Sequence, residues 1–323
     1  MLYPLTFQPA FKERVWGGRR LEQLYGKALP PGVPIGESWE IADRPEATSV
    51  IANGPLAGQD LRWLMEHHGA EVLGSAWTSV GRFPLLIKLL DAQDKLSLQV
   101  HPPAAVAAAL GGEPKTELWY IAQALPGAEL YVGLRQGVTR ADFERCLQEG
   151  AVADCFHRVA VETGDVMFLP SGRVHALGAG LVIFEIQQNS DTTYRVFDWN
   201  RVGLDGKPRA THLAEALACI DFNDFEPSPI RSIYSRNHTM PVRYLVEDPL
   251  FMVNACQLRR GGRIYFRGAG AQIIGLLQGR LLLSGNGEEV KLEPGQFCLL
   301  PAGLERTALT AEKRVEFLHV QLP

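Results

Sequence analysis

The chain is built from short apolar runs cut by turn residues, a pattern that favours β structure with local helical pieces. "RFPLLIKLLDA" (82–92) and "KLSLQVHP" (95–102) read as two strands joined at "AQD". "GDVMFLPSG" (164–172) and "GLVIFEIQQ" (180–188) read as two more, bracketing a short loop that holds His175. The tail is strand-like almost throughout, from "FMVNACQL" (251–258) to "RVEFLHVQL" (314–322), with Gly285, Asn286 and Gly287 as a hairpin turn inside it. Helical signals are fewer. Asp60 can cap "LRWLMEHHGAEVL", "PAAVAAAL" (103–110) is a short alanine-rich helix, and Thr139 with Asp142 forms a capping box before "FERCLQEG". A helical insert is therefore expected at about residues 103–150. "NDFEPSPIRSIYSRNHTMP" (223–241) has no period and reads as a linker.

An internal echo divides the chain. "GDVMFLPSGRVH" (164–175) and "GQFCLLPAGLER" (295–306) share Gly-x-x-x-x-x-Pro-x-Gly-x-x-(His/Arg). The first copy delivers His175 after its turn; the second delivers Arg306. The expectation is a working β unit followed by a degenerate one.

Composition narrows the setting. With 323 residues and 46% hydrophobic content, the chain can bury a sizeable core. Its net charge of −4 is spread along the sequence, so no basic stripe suggests nucleic acid. No run reaches membrane-spanning length, and "MLYPLTFQPAFKERVW" lacks the apolar core of a signal peptide. Five cysteines without a C-x-x-C spacing read as scattered thiols in a reducing compartment. A cytoplasmic protein with no nucleic-acid or membrane partner is expected, and no protein partner is readable.

Candidate chemistry gathers in the first unit. Strand alternation points Gln99 and His101 to one face, and an extended "PKTELWY" does the same for Lys115 and Glu117. With His175, these offer two imidazoles, a carboxylate and an amide oxygen, a borderline-to-hard N/O set suited to a divalent metal. Each group also has a plain structural use: a lone His is usually hydrogen-bonded in place, and a Lys–Glu pair is usually solvated.

The surrounding text resembles a known family. "RVWGGRRL", "IGESWEIADRP", "LSLQVHP", "PKTELWY", "GDVMFLPSGRVHALG" and "EIQQNSDTTYRVFDW" are similar, in order through about residues 7–220, to type I mannose-6-phosphate isomerases of the short bacterial branch. The resemblance implies a mainly β chain of two cupin (jelly-roll) barrels. The first, residues 1–237, would be catalytic and carry the helical insert; the second, 238–323, would lack metal ligands. It implies one zinc per chain held by Gln99, His101, Glu117 and His175. It further implies interconversion of mannose 6-phosphate and fructose 6-phosphate by proton transfer through a cis-enediolate. Arg195, Lys115 and Glu185 would carry catalysis, with Glu185 favoured over Lys115 as base. Arg195, Lys88 and Lys115 would bind the phosphosugar. Arg195 paired to Asp191 or Asp198 is the plainer alternative for that residue, and Arg201, Lys207 and Arg209 are expected on an exposed loop. The sequence departs from the family at "PAAVAAAL", where acidic residues are usual, and the tail carries few family markers. Two other readings compete: a non-catalytic two-cupin sugar-binding or sensor protein, and a cupin enzyme of another kind, such as an iron-dependent oxygenase or an isomerase of a different phosphosugar. No Walker loop is present, so phosphate recognition must rest on side-chain cations.

Overall fold

The computed structural model describes residues 1–74, 81–236, 239–268 and 270–322. Four larger antiparallel sheets form two sandwiches of the cupin type. In the first, a six-stranded sheet runs in the order Val166–Leu169, Glu117–Ala124, Leu181–Gln188, Leu85–Ala92, Ile35–Ile41, Ala10–Gly18. Facing it is a five-stranded sheet in the order Phe156–Ala160, Glu129–Leu134, His175–Leu177, Leu98–Val100, Tyr194–Phe197. In the second sandwich, five strands (Val242–Asp248, Phe251–Leu258, Val315–Gln321, Gln272–Gln278, Phe297–Leu300) face four (Arg263–Phe266, Thr307–Ala311, Leu281–Gly285, Glu288–Leu292). The expected hairpin closes the last two strands. Asn286 and Gly287 both take positive φ there, which matches the twist of a two-residue turn.

The two large sheets pack back to back. Ile87, Leu89, Leu118, Phe184 and Ile186 of one meet Val253, Ala255, Ile273, Leu318 and Val320 of the other in one buried cluster. Phe184 lies at its centre, edge-on to Tyr25 and Tyr120 and tilted against Phe297 at 5.4 Å. The strands Leu85–Ala92 and Leu181–Gln188 are therefore covered on both faces, which explains their near-continuous apolar text.

The helical expectations are met locally. Asp60 accepts from the Trp63 amide at the start of Leu61–Leu73, and Thr139 and Asp142 form the capping box of Arg140–Glu149. The insert itself needs correction. Residues 103–150 begin with a helical turn at Ala104–Ala107 and end with Arg140–Glu149, but strands Glu117–Ala124 and Glu129–Leu134 lie between them. Those strands belong one to each sheet of the first sandwich, so this segment is part of the barrel. Within the expected linker at 223–241, the part up to residue 236 is no free tether. Ile230 donates its amide to Val166 O, Arg231 pairs with Asp165 at 2.9 Å, and Tyr234 reaches Glu316, strapping the segment along the sheet edge. The expected boundary between 237 and 238 lies outside the described residues. No helix among the described residues is long and apolar enough to cross a membrane.

Candidate metal centre and the cavity above it

Three strand ends converge on one point inside the first barrel. His101 follows strand Leu98–Val100, Glu117 opens Glu117–Ala124, and His175 opens His175–Leu177. The Pro-x-Gly turn before His175 needs a left-handed residue: Gly172 has φ +92°, and its amide donates to His101 O at 2.9 Å. That bond ties the turn bearing one imidazole to the backbone of the other.

The donor atoms face each other. His101 Nε2 lies 3.5 Å from Glu117 Oε2, and His175 Nε2 lies 3.3 Å from Glu117 Oε1. Each imidazole is oriented from behind, His101 Nδ1 donating to Thr192 O and His175 Nδ1 to Arg173 O, both at 2.9 Å. This leaves both Nε2 lone pairs aimed at the carboxylate. Burial and the Lys115 ammonium push His101 down to about 3, and burial lowers His175, so both rings are neutral. Burial raises the Glu117 carboxyl, but Lys115 and the two histidines outweigh it and hold it well below the usual range. Gln99, opposite His175 in the sheet, brings an amide whose nitrogen is 3.3 Å from His175 Nε2.

Such a cluster is costly without a cation. His101 Nε2 and both Glu117 oxygens are buried with no hydrogen-bond partner among the described residues, although Lys115 Nζ forms an ion pair with Oε2 at 2.9 Å. The three ligand atoms all lie within 4.8 Å of one another. Two neutral imidazole nitrogens and a carboxylate, dry and aimed at one point, fit a divalent ion.

A cavity of about 580 Å³ opens above, lined by Gln99 and Lys115 at its floor and by Lys88, Glu37 and Glu185 on one wall. Glu185 is paired in register with Lys88 on one side and Trp119 on the other. Its Oε1 accepts from Trp119 Nε1 at 2.8 Å, and its Oε2 lies 3.4 Å from Lys88 Nζ. Burial raises the Glu185 carboxyl, with the Glu117 charge adding to the effect and Lys88 opposing it. For Lys88 burial alone would lower the ammonium, but Glu37 and Glu185 raise it above the ordinary value. Glu37 accepts from Trp39 Nε1 at 2.7 Å and from both ends of the Arg14 fork. Despite the opposing effect of burial, Lys88 and Arg14 draw it down to about 2.

Arg195 and Arg209 line the same cavity. Arg195, opposite Gln99 in the sheet, donates from Nη1 to Ala210 O, and its Nε is buried without a partner. The pairing of Arg195 with Asp191 or Asp198 does not occur among the described residues. Asp198 is instead shared by Arg201 and Arg209, at 3.0 and 2.5 Å. Burial and the nearby Arg209 lower Arg195, with the Asp198 charge opposing them. Arg209 also corrects an expectation: it is half-buried and lines the cavity, while Lys207 is exposed.

Comparison with known proteins places this arrangement. Residues 5–117 match the family model described as phosphomannose isomerase type I, catalytic domain. The mannose-6-phosphate isomerase of Streptococcus mutans is 33% identical over 302 residues, 93% of each chain. The chain belongs to the type I mannose-6-phosphate isomerase family. A Bacillus subtilis member is 40% identical over 220 residues, 68% of each chain. The crystal structure of the mannose 6-phosphate isomerase from Bacillus subtilis covers 99% of this chain and 100% of its own, with a TM-score of 0.90 at 29% identity.

As a type I mannose-6-phosphate isomerase, this chain brings Gln99, His101, Glu117 and His175 together, with Lys115, Glu185, Lys88 and Arg195 around one cavity. Sequence reasoning passed over Glu37 and Arg14, and placed Arg209 on the surface instead of at the cavity. The signal for Glu37 was present in "IGESWEI", a strand buried at every position yet carrying two carboxylates. Such a strand must neutralise them internally.

Proposed function

We propose that the chain interconverts mannose 6-phosphate and fructose 6-phosphate, using a zinc ion held by Gln99, His101, Glu117 and His175. The observation that carries this reading is that a buried carboxylate, Glu185, and the Arg195 guanidinium line one cavity beside the His/Glu/His cluster. The all-N/O donor set favours zinc among divalent ions of borderline character. A zinc ion bound by these residues would supply Lewis-acid positive charge to the reaction.

The aldose and ketose differ in the position of one carbonyl. In the open-chain aldose the C2 proton is acidic because the C1 aldehyde takes up the charge left behind. Glu185 as carboxylate removes that proton, giving a cis-enediolate; the hydroxyl proton passes from O2 to O1, and Glu185 returns its own proton to C1, leaving the carbonyl at C2 of the ketose. Its burial supports this role, since a desolvated carboxylate is a stronger base. Lys115 Nζ lines the floor and is a donor for the O1 and O2 hydroxyl oxygens. Lys88 holds Glu185 ionised and in place, and its cavity position also suits a sugar hydroxyl. Arg195 and Arg209 take the phosphate at the mouth. We assign this work to residues 1–237 and read 238–323 as a second cupin unit without metal ligands. A cytoplasmic setting is supported by the phosphorylated substrate and by five cysteines that are all free.

The test is fructose 6-phosphate formation from mannose 6-phosphate by one preparation as purified, stripped by chelator, and restored with zinc. Activity lost and regained with zinc is expected, and Glu185→Gln should lower kcat by about 10²–10⁴-fold while the metal content stays at one per chain. Activity that survives verified stripping would overturn the metal role. Near-normal kcat in Glu185→Gln would move the base elsewhere.

A further inference from the structure

The turn that joins the proposed base to Arg195 grips the segments that carry all three ligands of the His/Glu/His cluster. Residues 187–192 end strand Leu181–Gln188 and lead into Tyr194–Phe197. Gln188 holds Thr116, the neighbour of Glu117, by both backbone groups. Its own backbone N–H donates to Thr116 O at 3.0 Å, and its Oε1 accepts from the Thr116 amide at 2.8 Å. Thr116 Oγ1 in turn accepts from the amide of Ser171, in the turn before His175, at 3.3 Å. Thr192 O accepts from His101 Nδ1 at 2.9 Å.

Ser190 closes this frame. It is 1% exposed, and its Oγ donates to Glu113 O at 3.1 Å while accepting from the Thr192 amide at 3.2 Å. The Glu113 amide donates back to Thr192 Oγ1 at 3.0 Å. Behind Ser190, the buried Gln187 donates from Nε2 to Ser190 O and Gln188 O, at 2.6 and 2.9 Å. Gly112 lets the two chains approach: a Cβ there would lie 2.7 Å from Thr192 Cγ2 and 2.6 Å from the Tyr194 hydroxyl. Asp191 and Thr193, the alternate residues of the same turn, line the cavity instead. Thr192 is thus held at its amide by Ser190 and at its hydroxyl by Glu113, which leaves its carbonyl little freedom to move away from His101.

We infer that Ser190 is a positioning residue for the metal centre, acting through Thr192 to hold the His101 ring with Nε2 turned toward Glu117. The inference rests on the proposed zinc site and concerns metal affinity and ring orientation, not proton transfer. Without the Ser190 hydroxyl, Glu113 O and the Thr192 amide lose that partner in a buried place, and the Thr192 carbonyl is freed. An imidazole whose rear N–H has a fixed acceptor binds a metal more tightly than one free to turn, and losing such a support costs about 10–100-fold in metal affinity. Ser190 stands one bond further back, so the lower end of that range, about tenfold, is expected.

The experiment measures zinc affinity by competition with a chromophoric chelator, on the full chain, for the native protein, Ser190→Ala and Thr192→Val. Thr192→Val removes the Glu113 link and carries the test alone if Ser190→Ala does not fold. Thr139→Ala, which breaks the capping box of Arg140–Glu149, is the control for a general loss of stability. The expected result is a dissociation constant raised about tenfold in Ser190→Ala and in Thr192→Val, and unchanged in Thr139→Ala. The ring itself is read by ¹⁵N imidazole NMR on the zinc-loaded chain, with the His101 signal assigned by its loss in His101→Gln. The His101 Nδ1–H should exchange faster with solvent in Ser190→Ala, whereas that of His175, held by Arg173 O, should keep its native rate. Affinity within about twofold of native in both variants, or both imidazole N–H groups loosening together, overturns the inference. A native chain that binds no zinc overturns the metal site and the inference with it. Zinc bound without isomerase activity, and bound more weakly in both variants, would remove the proposed reaction and leave the Ser190 assignment standing.

Discussion

Replacing Lys88 by methionine tests the electrostatics of the proposed base. Lys88 is 3% exposed, and its ammonium lies 3.4 Å from Glu185 Oε2 and 3.9 Å from Asp191 Oδ1. Methionine has nearly the same length and no charge, so packing against Trp39 is largely kept while the cation is lost. At an effective dielectric of about 20, a unit pair at 3.4 Å interacts by about 5 kcal/mol. Lys115 still acts on Glu185 and makes the net loss smaller. The sign follows from the role: Glu185 works as the ionised base, and removing Lys88 favours its protonated form. Activity is lost as pH falls through the Glu185 titration, so the acid limb of the kcat profile should move to higher pH. At pH values below that limb kcat should fall tenfold for each pH unit of displacement, and it should recover in alkaline buffer. The assay is kcat and KM from pH 5 to 10 on the zinc-loaded variant. A limb that moves by less than about half a pH unit, equivalent to about 0.7 kcal/mol, with a raised KM at every pH, would refute the charge-holding role and leave Lys88 as a substrate contact.

Three further outcomes are expected. Burial pushes the His319 imidazole down to about 4 from its ordinary value of about 6.5, so its contribution is present above about 6.5 and lost as pH falls toward 4. That loss is about 3 kcal/mol, and urea midpoints of His319→Gln should be correspondingly flatter over this window; equal slopes would contradict it. Phe184→Ala empties the centre of the sheet-to-sheet contact and should cost about 3–5 kcal/mol in a denaturant titration, whereas a loss below about 1 kcal/mol would mean the two sheets close over the gap. Arg195→Gln should raise KM for the phosphosugar at least tenfold while leaving zinc content intact, and an unchanged KM would remove it from the phosphate site.

The parts of the site visible in the sequence are those held by local geometry. Gln99 and His101 share a face because strands alternate, Lys115 and Glu117 for the same reason, and the turn glycine before His175 announces itself by spacing. The resemblance to a family joined these distant pieces; periodicity alone left each with an ordinary structural use. Glu37 and Arg209 were hidden for different reasons. Glu37 lies in a strand covered on both faces, so no alternation marks its direction, and only sheet pairing brings its wall beside Lys88. Arg209 lies in an aperiodic loop whose course is set by the shared Asp198 pairing. The helical expectation over 103–150 rests on its two ends, an alanine-rich turn and the Thr139–Asp142 capping box, whereas the short apolar runs Glu117–Ala124 and Glu129–Leu134 between them join the barrel only through pairing with distant strands.

The back-to-back sheets also divide the active site by stiffness. The strand bearing Glu185 is central, hydrogen-bonded on both edges and covered on both faces, so its amides should exchange with solvent only when the whole molecule unfolds. Arg209 sits instead on a surface loop flanked by exposed residues, where small local openings release amides far sooner. On the proposed roles, the base would stand in a strand expected to exchange slowly, and one of the two phosphate-binding arginines, Arg209, in a loop expected to exchange fast. A substrate can be gripped by a yielding edge while its C1 and C2 meet a fixed base.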